Sequence, residues 1–178
     1  QGEINMDIKQ KANDILDELQ HHLSFVNNDD IVSFAEIIAQ SDRIYLTGLG
    51  RSGVSIRGFT NRLMHLGLNV HMIGEITVPH TQPGDLLVIG SGSGETPPLV
   101  ATAKKAKEAG LKIALNTIDP ESTIAKMADV VMVLPGSSPK VPEQRRVQSI
   151  QPMASAFEQL SLMIYDAVIL ALMEMLQQ

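Results

Sequence analysis

The chain has 178 residues, 44% of them hydrophobic, which suits one domain with its own core. It contains no cysteine, so disulfides, thiol nucleophiles and thiolate metal sites are excluded, in keeping with a reducing compartment. A formal net charge of −6 leaves no basic field for nucleic acid, and 3% aromatic content without tryptophan argues against a stacking platform for bases or sugar rings.

Gln1-Gly2 reads as a remnant of expression and stands outside the fold. The segment after it has no signal-peptide core, and no apolar run reaches the roughly 18 residues of a membrane span. A soluble, cytoplasmic protein with no membrane partner is expected. Between Ile4 and Leu23, the residues Ile8, Ala12, Ile15, Leu16 and Leu19 share one helical face, and Ile31 to Ala39 repeats the pattern after the turn NNDD. RIYLTGLG is a short apolar strand ending in glycines, followed by a helix from about Val54 to Leu66 that stops at Gly67. NVHMIG, DLLVIG, KIALNTI and VVMVLP read as four further strands. Between the third and fourth strands, Pro97 and Pro98 fit the first turn of a helix and Gly110 its C-terminal cap. Apolar strands without alternation, separated by helices, predict a parallel sheet covered on both faces: one doubly wound α/β domain over residues 3–178. Pro135 to Pro152 is polar, proline-rich and aperiodic, the kind of long loop that is functional or disordered. Met153 to Leu176 is a long closing helix, and its apolar face (Phe157, Leu160, Met163, Ile164, Ala167, Val168, Leu172) is broader than one small sheet needs, which suggests an oligomer contact.

In an open parallel sheet, ligands bind beyond the carboxyl ends of the strands, where strand order reverses. Two glycine-rich loops fall at such ends. GLGRSG, Gly48 to Gly53, matches the dinucleotide fingerprint G-x-G-x-x-G, with Glu75 at a suitable distance for a ribose-binding acid; equally, it serves as a tight strand-to-helix turn. SGSGET combines the hydroxyls of Ser91, Ser93 and Thr96 with Gly92, Gly94 and an immediately following helix N-terminus, whose amides and dipole favour an anion. That composition fits a monophosphate better than a plain cap, and no Gly-Lys-Ser/Thr follows to make it a P-loop. A dinucleotide-dependent reductase would need a substrate-binding addition or a Tyr-x-x-x-Lys pair, whereas Leu49 and Ile169 stand four positions beyond the two tyrosines. The histidines show no metal-ligand spacing, since His21 and His22 are adjacent and point apart, so no metal site is expected.

GLGRSG, then RLMHLG, then GDLLVIGSGSGET followed by two prolines resembles the sugar isomerase (SIS) domain family, and within it the 6-phospho-3-hexuloisomerases. The resemblance covers nearly the whole chain and implies a five-stranded flavodoxin-like sheet, a homotetramer with sites near subunit boundaries, and no cofactor. It implies interconversion of 3-hexulose 6-phosphate and fructose 6-phosphate, in formaldehyde fixation by the ribulose monophosphate route or in pentose supply. The family's phosphate-binding positions fall on Ser52, Ser91, Ser93 and Thr96, with Gly50, Gly92 and Glu95 as possible further substrate contacts, and its catalytic carboxylate on Glu158. The stretch VPHTQPGD, which carries His80, is more polar than the family's pattern there.

Moving a carbonyl between C2 and C3 needs one base to carry a carbon-bound proton and a donor near the developing oxyanion. Glu158, beside Phe157 and Leu160 at a helix start, is either that base, strengthened by desolvation, or an acid favouring the positive helix end; the resemblance assigns it as base. Arg51 is the candidate for neutralising phosphate or enediolate charge, and Glu95 either orients the phosphate loop or stabilises its helix. His65 reads as a packed residue, and His80 belongs at the wrong end of the third strand to act within one subunit. Gln144, Arg145 and Arg146 either close over an anion or form a solvated pair. An aldose-ketose isomerase of the same family and a non-catalytic phosphosugar sensor remain the alternatives.

Overall fold

Five parallel strands, β1 (Ile44–Gly48), β2 (Val70–Met72), β3 (Leu86–Gly90), β4 (Lys112–Thr117) and β5 (Val130–Val133), form one sheet in the order β2-β1-β3-β4-β5. They belong to a computed structural model that describes residues 7–177. Gln1-Gly2 and the expected helix start at Ile4 lie outside the described residues. Helices α1 (Ile8–Leu23), α2 (Asn28–Ala39), α3 (Gly50–His65), α4 (Pro97–Glu108) and α5 (Ser155–Met175) complete the doubly wound α/β arrangement.

The helix ends follow local chemistry. The NNDD turn belongs largely to α2: the Asn27 side chain accepts the Asp29 amide at 3.0 Å, and Asp29 and Asp30 sit in the first turn, where the dipole favours acids. Pro97 and Pro98 take the first two positions of α4, and Gly110, at φ +79°, follows its C-cap. The third helix begins at Gly50 instead of Val54, so GLGRSG is mostly the first turn of α3 and not a loop in front of it.

Both faces of the sheet are buried, which explains strands without alternation. Ile44, Leu46, Leu86, Val88, Ala114 and Met132 face α2, α3 and α5, while Tyr45, Leu87, Ile89, Ile113 and Leu115 face α4. Within the first layer the Phe59 and Tyr165 rings stack at 4.5 Å between centroids, tying α3 to α5. α5 is long and apolar enough, by length and composition, to cross a membrane, contrary to the expectation that no segment would be. Its Leu160, Ile164, Val168 and Leu172 are instead spent on the core and buried against the sheet layer.

Strand order decides between the two glycine-loop readings. In the dinucleotide-binding order the third strand lies beyond the second; here it crosses to the other side of β1, giving the flavodoxin-like order. The reversal sits between β1 and β3, whose ends Gly48 and Gly90 are paired in register. The third glycine of the fingerprint has a packing role: a Cβ on Gly53 would lie 2.6 Å from the Gly48 carbonyl oxygen. Gly53→Ala should therefore destabilise the fold by roughly 1–3 kcal/mol, seen as a lower urea midpoint with an unchanged slope.

Candidate active site

The chain leaves β1 and β3 side by side, so α3 and the SGSGET loop open at the same end of the sheet. α3 starts with Gly50 at φ +56° and no side-chain cap, and its first helical bond runs from the Gly53 amide to the Leu49 carbonyl. The amides of Gly50, Arg51 and Ser52 consequently have no carbonyl within the helix and form the positive end of its dipole. The start of α4 is different. Pro97 and Pro98 carry no N–H, and the Leu99 amide is taken by the Thr96 carbonyl at 2.9 Å. The open amide donors expected on α4 are thus found on α3.

SGSGET is held by its own hydroxyls. Ser91 Oγ accepts the Gly94 amide at 3.1 Å and Ser93 Oγ accepts the Glu95 amide at 3.2 Å; both serines are buried. An accepting hydroxyl keeps its proton to donate, so this bracing leaves Ser91 and Ser93 each one hydrogen bond to give. Thr96 makes no side-chain cap bond, and its hydroxyl, like that of Ser52, belongs to a half-buried residue at this end of the sheet. Gly94, at φ +62°, has no room for a Cβ, which would fall 2.0 Å from Ser122 Oγ. Gly92 packs on Phe157, with a Cβ position 3.3 Å from the ring. Glu95 turns away to accept the Thr123 amide at 2.5 Å, fastening the phosphate-loop candidate to the segment after β4.

Glu158 lies in the first turn of α5, where its Oε2 accepts from Arg51 Nε at 2.5 Å; its side chain is 14% exposed and that of Arg51 63%. The pair lines a cleft of about 360 Å³ with Val54, Ser55, Gln159 and Leu162. Phe157 and Leu160 do not enclose the carboxylate as expected: both point into the core, because positions one before and two after Glu158 lie on the opposite face of the helix. What meets the carboxylate is Arg51.

Behind the cleft runs a buried polar network that sequence reasoning missed. Asn116 Nδ2 donates to Ser161 Oγ and to Tyr165 Oη, each at 2.9 Å, while the Asn116 carbonyl accepts the Ser91 amide at 3.0 Å. Ser161 in turn donates to the Phe157 carbonyl at 2.7 Å. One asparagine on β4 thereby locates both Ser91 and the first turn of α5. Burial pushes the Tyr165 phenol well up from its ordinary value, only partly offset by Asn116, so it stays protonated. The available signal was a serine and a tyrosine four residues apart on the otherwise apolar face of α5.

The remaining candidates are not brought to the cleft. His65 is exposed on α3 beside Arg62. His80 lies at the amino end of β1, its carbonyl accepting from Arg43 and Tyr45. Glu75 is exposed and 4.0 Å from Arg57. Arg145 pairs with buried Asp119 at 3.0 Å, Arg146 donates to the Val141 and Pro139 carbonyls of its own loop, and Gln144 is exposed.

A family model for the SIS domain matches residues 37–163, from α2 to the middle of α5. The chain belongs to the SIS domain family. This SIS domain is 47% identical over 161 residues to the 3-hexulose-6-phosphate isomerase of Bacillus subtilis, covering 90% of this chain and 86% of that one. It is 37% identical over 162 residues to the enzyme of the same name from Mycobacterium gastri, covering 91% and 80%. A solved structure from Methanococcus jannaschii, from which a 3-hexulose-6-phosphate isomerase function was inferred, superposes with a TM-score of 0.79 at 28% identity, over 94% of this chain and 92% of the other. The five-stranded sheet is therefore the SIS fold. Asn116→Ala in this SIS domain would leave two buried hydroxyls without their donor, and a stability loss of about 1–3 kcal/mol is expected in urea denaturation.

Proposed function

We propose that this SIS domain is a 3-hexulose-6-phosphate isomerase, interconverting 3-hexulose 6-phosphate and fructose 6-phosphate through a 2,3-enediolate. The observation that carries the reading is the Glu158–Arg51 pair in a cleft beside the open amides of α3, at the strand-order reversal. The relatives' names support the choice of substrate. The reaction moves one proton between neighbouring carbons and exchanges a carbonyl with a carbinol inside one molecule, so it requires no external oxidant.

The phosphate is bound by the hydroxyls of Ser52, Ser91, Ser93 and Thr96 with the amides at the start of α3. Gly50 leaves room for the ligand, Gly92 lets the loop close on Phe157, and Glu95 acts indirectly by holding the loop. Glu158 removes the proton from C3 of fructose 6-phosphate and returns it to C2. Arg51, largely exposed, exchanges its contact with Glu158 for the enediolate oxygen as negative charge develops. The substrate is small and the cleft open, which fits a site closed by a neighbouring subunit. Val54, Leu162, Met163 and Leu170 expose apolar side chains on α3 and α5 beside it, in keeping with a homotetramer. We place the enzyme in the cytoplasm with its sugar monophosphate substrate.

Proton NMR of fructose 6-phosphate with the protein in deuterated water tests the reaction. Loss of the C3 hydrogen is expected; loss at C1 would reassign the chain to aldose-ketose isomerisation, and no exchange would leave a non-catalytic sensor. Glu158→Gln should lower turnover by roughly 100-fold or more while ligand affinity by calorimetry stays nearly intact. The double replacement of Ser91 and Ser93 by Ala should instead weaken sugar-phosphate binding by about 10- to 100-fold, and unchanged affinity would remove these serines from the phosphate site.

A further inference from the structure

A cavity of about 750 Å³ lies away from the strand-order reversal, between the end of α1 and the loop that leads into α5. Its wall carries an unbroken chain of hydrogen bonds. Glu18 on α1 accepts the Ile150 amide through Oε1 at 2.7 Å and the Gln151 side-chain amide through Oε2 at 2.8 Å. Gln151 and Gln159 then exchange two amide hydrogen bonds, each at 2.8 Å. His22, one turn further along α1 and buried, contacts the Gln148 carbonyl through Nε2 at 3.1 Å, so two residues of α1 grip the same loop.

This chain ends next to the chemistry. Gln159 adjoins Glu158 and lines the same cleft. The first turn of α5 packs Ala156 and Phe157 into the core but is uncapped on its polar side: Ala154 at the N-cap supplies no side-chain bond, and Met153 before it sits at φ 55°. Its placement depends on side chains from outside the helix. Ser55 on α3 grips the Glu158 carbonyl at 3.0 Å, Asn116 grips Ser161, and Gln151 grips Gln159. Burial raises the energy of an ionised Glu18. Hydrogen bonds from Gln151, Ile150 and Ser149, together with the charge of His22, outweigh that and hold the carboxyl below its ordinary value, so both oxygens accept at neutral pH.

We propose that Glu18 is a positioning residue for the isomerisation: through Gln151 and Gln159 it sets the first turn of α5 and hence the placement of Glu158 against Arg51. The inference rests on the functional reading above for its effect on turnover, and on the hydrogen-bond chain alone for its effect on structure. The chain also makes an unusual prediction for the isosteric variant. In Glu18→Gln, the oxygen of the new amide still accepts from Ile150, and its nitrogen donates to Gln151 once the Gln151 and Gln159 amides turn over together. The bonds that link Glu18 to Ile150, Gln151 and Gln159 are then all kept.

Three variants, Glu18→Ala, Gln151→Ala and Glu18→Gln, are compared by steady-state kinetics on fructose 6-phosphate and by hydrogen–deuterium exchange of peptides covering residues 153–160. Glu18→Ala and Gln151→Ala should each lower kcat about tenfold with KM within twofold, and speed exchange in the first turn of α5 while α2 and α3 stay protected. Glu18→Gln should match the parent in both readouts. Unchanged kcat and exchange in a folded alanine variant, or faster exchange across the whole chain, would overturn the proposal, as would a Glu18→Gln variant as impaired as Glu18→Ala. If Glu18→Ala does not fold, Gln151→Ala, outside the helix, decides the matter. If the parent protein does not isomerise fructose 6-phosphate, the functional reading fails by itself and the exchange data alone judge the relay.

Discussion

Everything at the mouth of this sheet depends on how closely α3 approaches β1. Gly53 lies directly on the Gly48 carbonyl, with no space for even one carbon between them. That contact lets the helix begin two residues after the strand ends, so its uncapped amides and Arg51 stand at the strand-order reversal and not a turn further out. A bulkier residue at either glycine would lift the helix away, and with it the positive end of its dipole. The fingerprint shared with dinucleotide-binding proteins is thus a device for close helix–strand packing, put to use on a sheet of different strand order.

The second half of the site is carried by α5, which reaches the cleft from the far end of the chain. Its core face is fastened by Tyr165 stacking on Phe59 and by the Asn116 network, and its first turn by Ser55 and Gln159. The backbone carbonyl of Asn116 also receives the Ser91 amide, so the SGSGET loop and the carboxylate-bearing turn are referred to one residue on β4. A rigid link of this kind suits the proposed reaction, in which Glu158 would serve two adjacent carbons, because a small displacement of the carboxylate would favour one carbon over the other.

The long aperiodic segment between β5 and α5 reads from composition as a functional or a disordered loop, and composition does not choose between them. It is pinned at several points: Arg145 to Asp119, Arg146 to its own carbonyls, Val141 in the core, and Ile150 and Gln151 to Glu18. Asp119 and Glu18 are far away in sequence, and the hydrogen bonds to Glu18, which cross more than 130 residues, leave no periodic trace.

What the amino-acid sequence determined alone was the order of the elements and the glycine-rich ends of β1 and β3. Apolar runs, proline, glycine and short hydroxyl side chains act locally, through propensity and turn chemistry. Ser91, Ser93 and Thr96 were legible as candidates in the composition of their loop, while the motif resemblance carried the family and singled out Ser52 and Glu158. Only the tertiary structure decided which amides are open, since it starts α3 at Gly50 with no side-chain cap and gives the Leu99 amide to the Thr96 carbonyl. It alone paired Glu158 with Arg51, turned Phe157 inward, and brought Asn116, Gln159 and Glu18 into the account. Those facts depend on which face of a helix meets which strand, and that is set by packing between residues far apart in the chain.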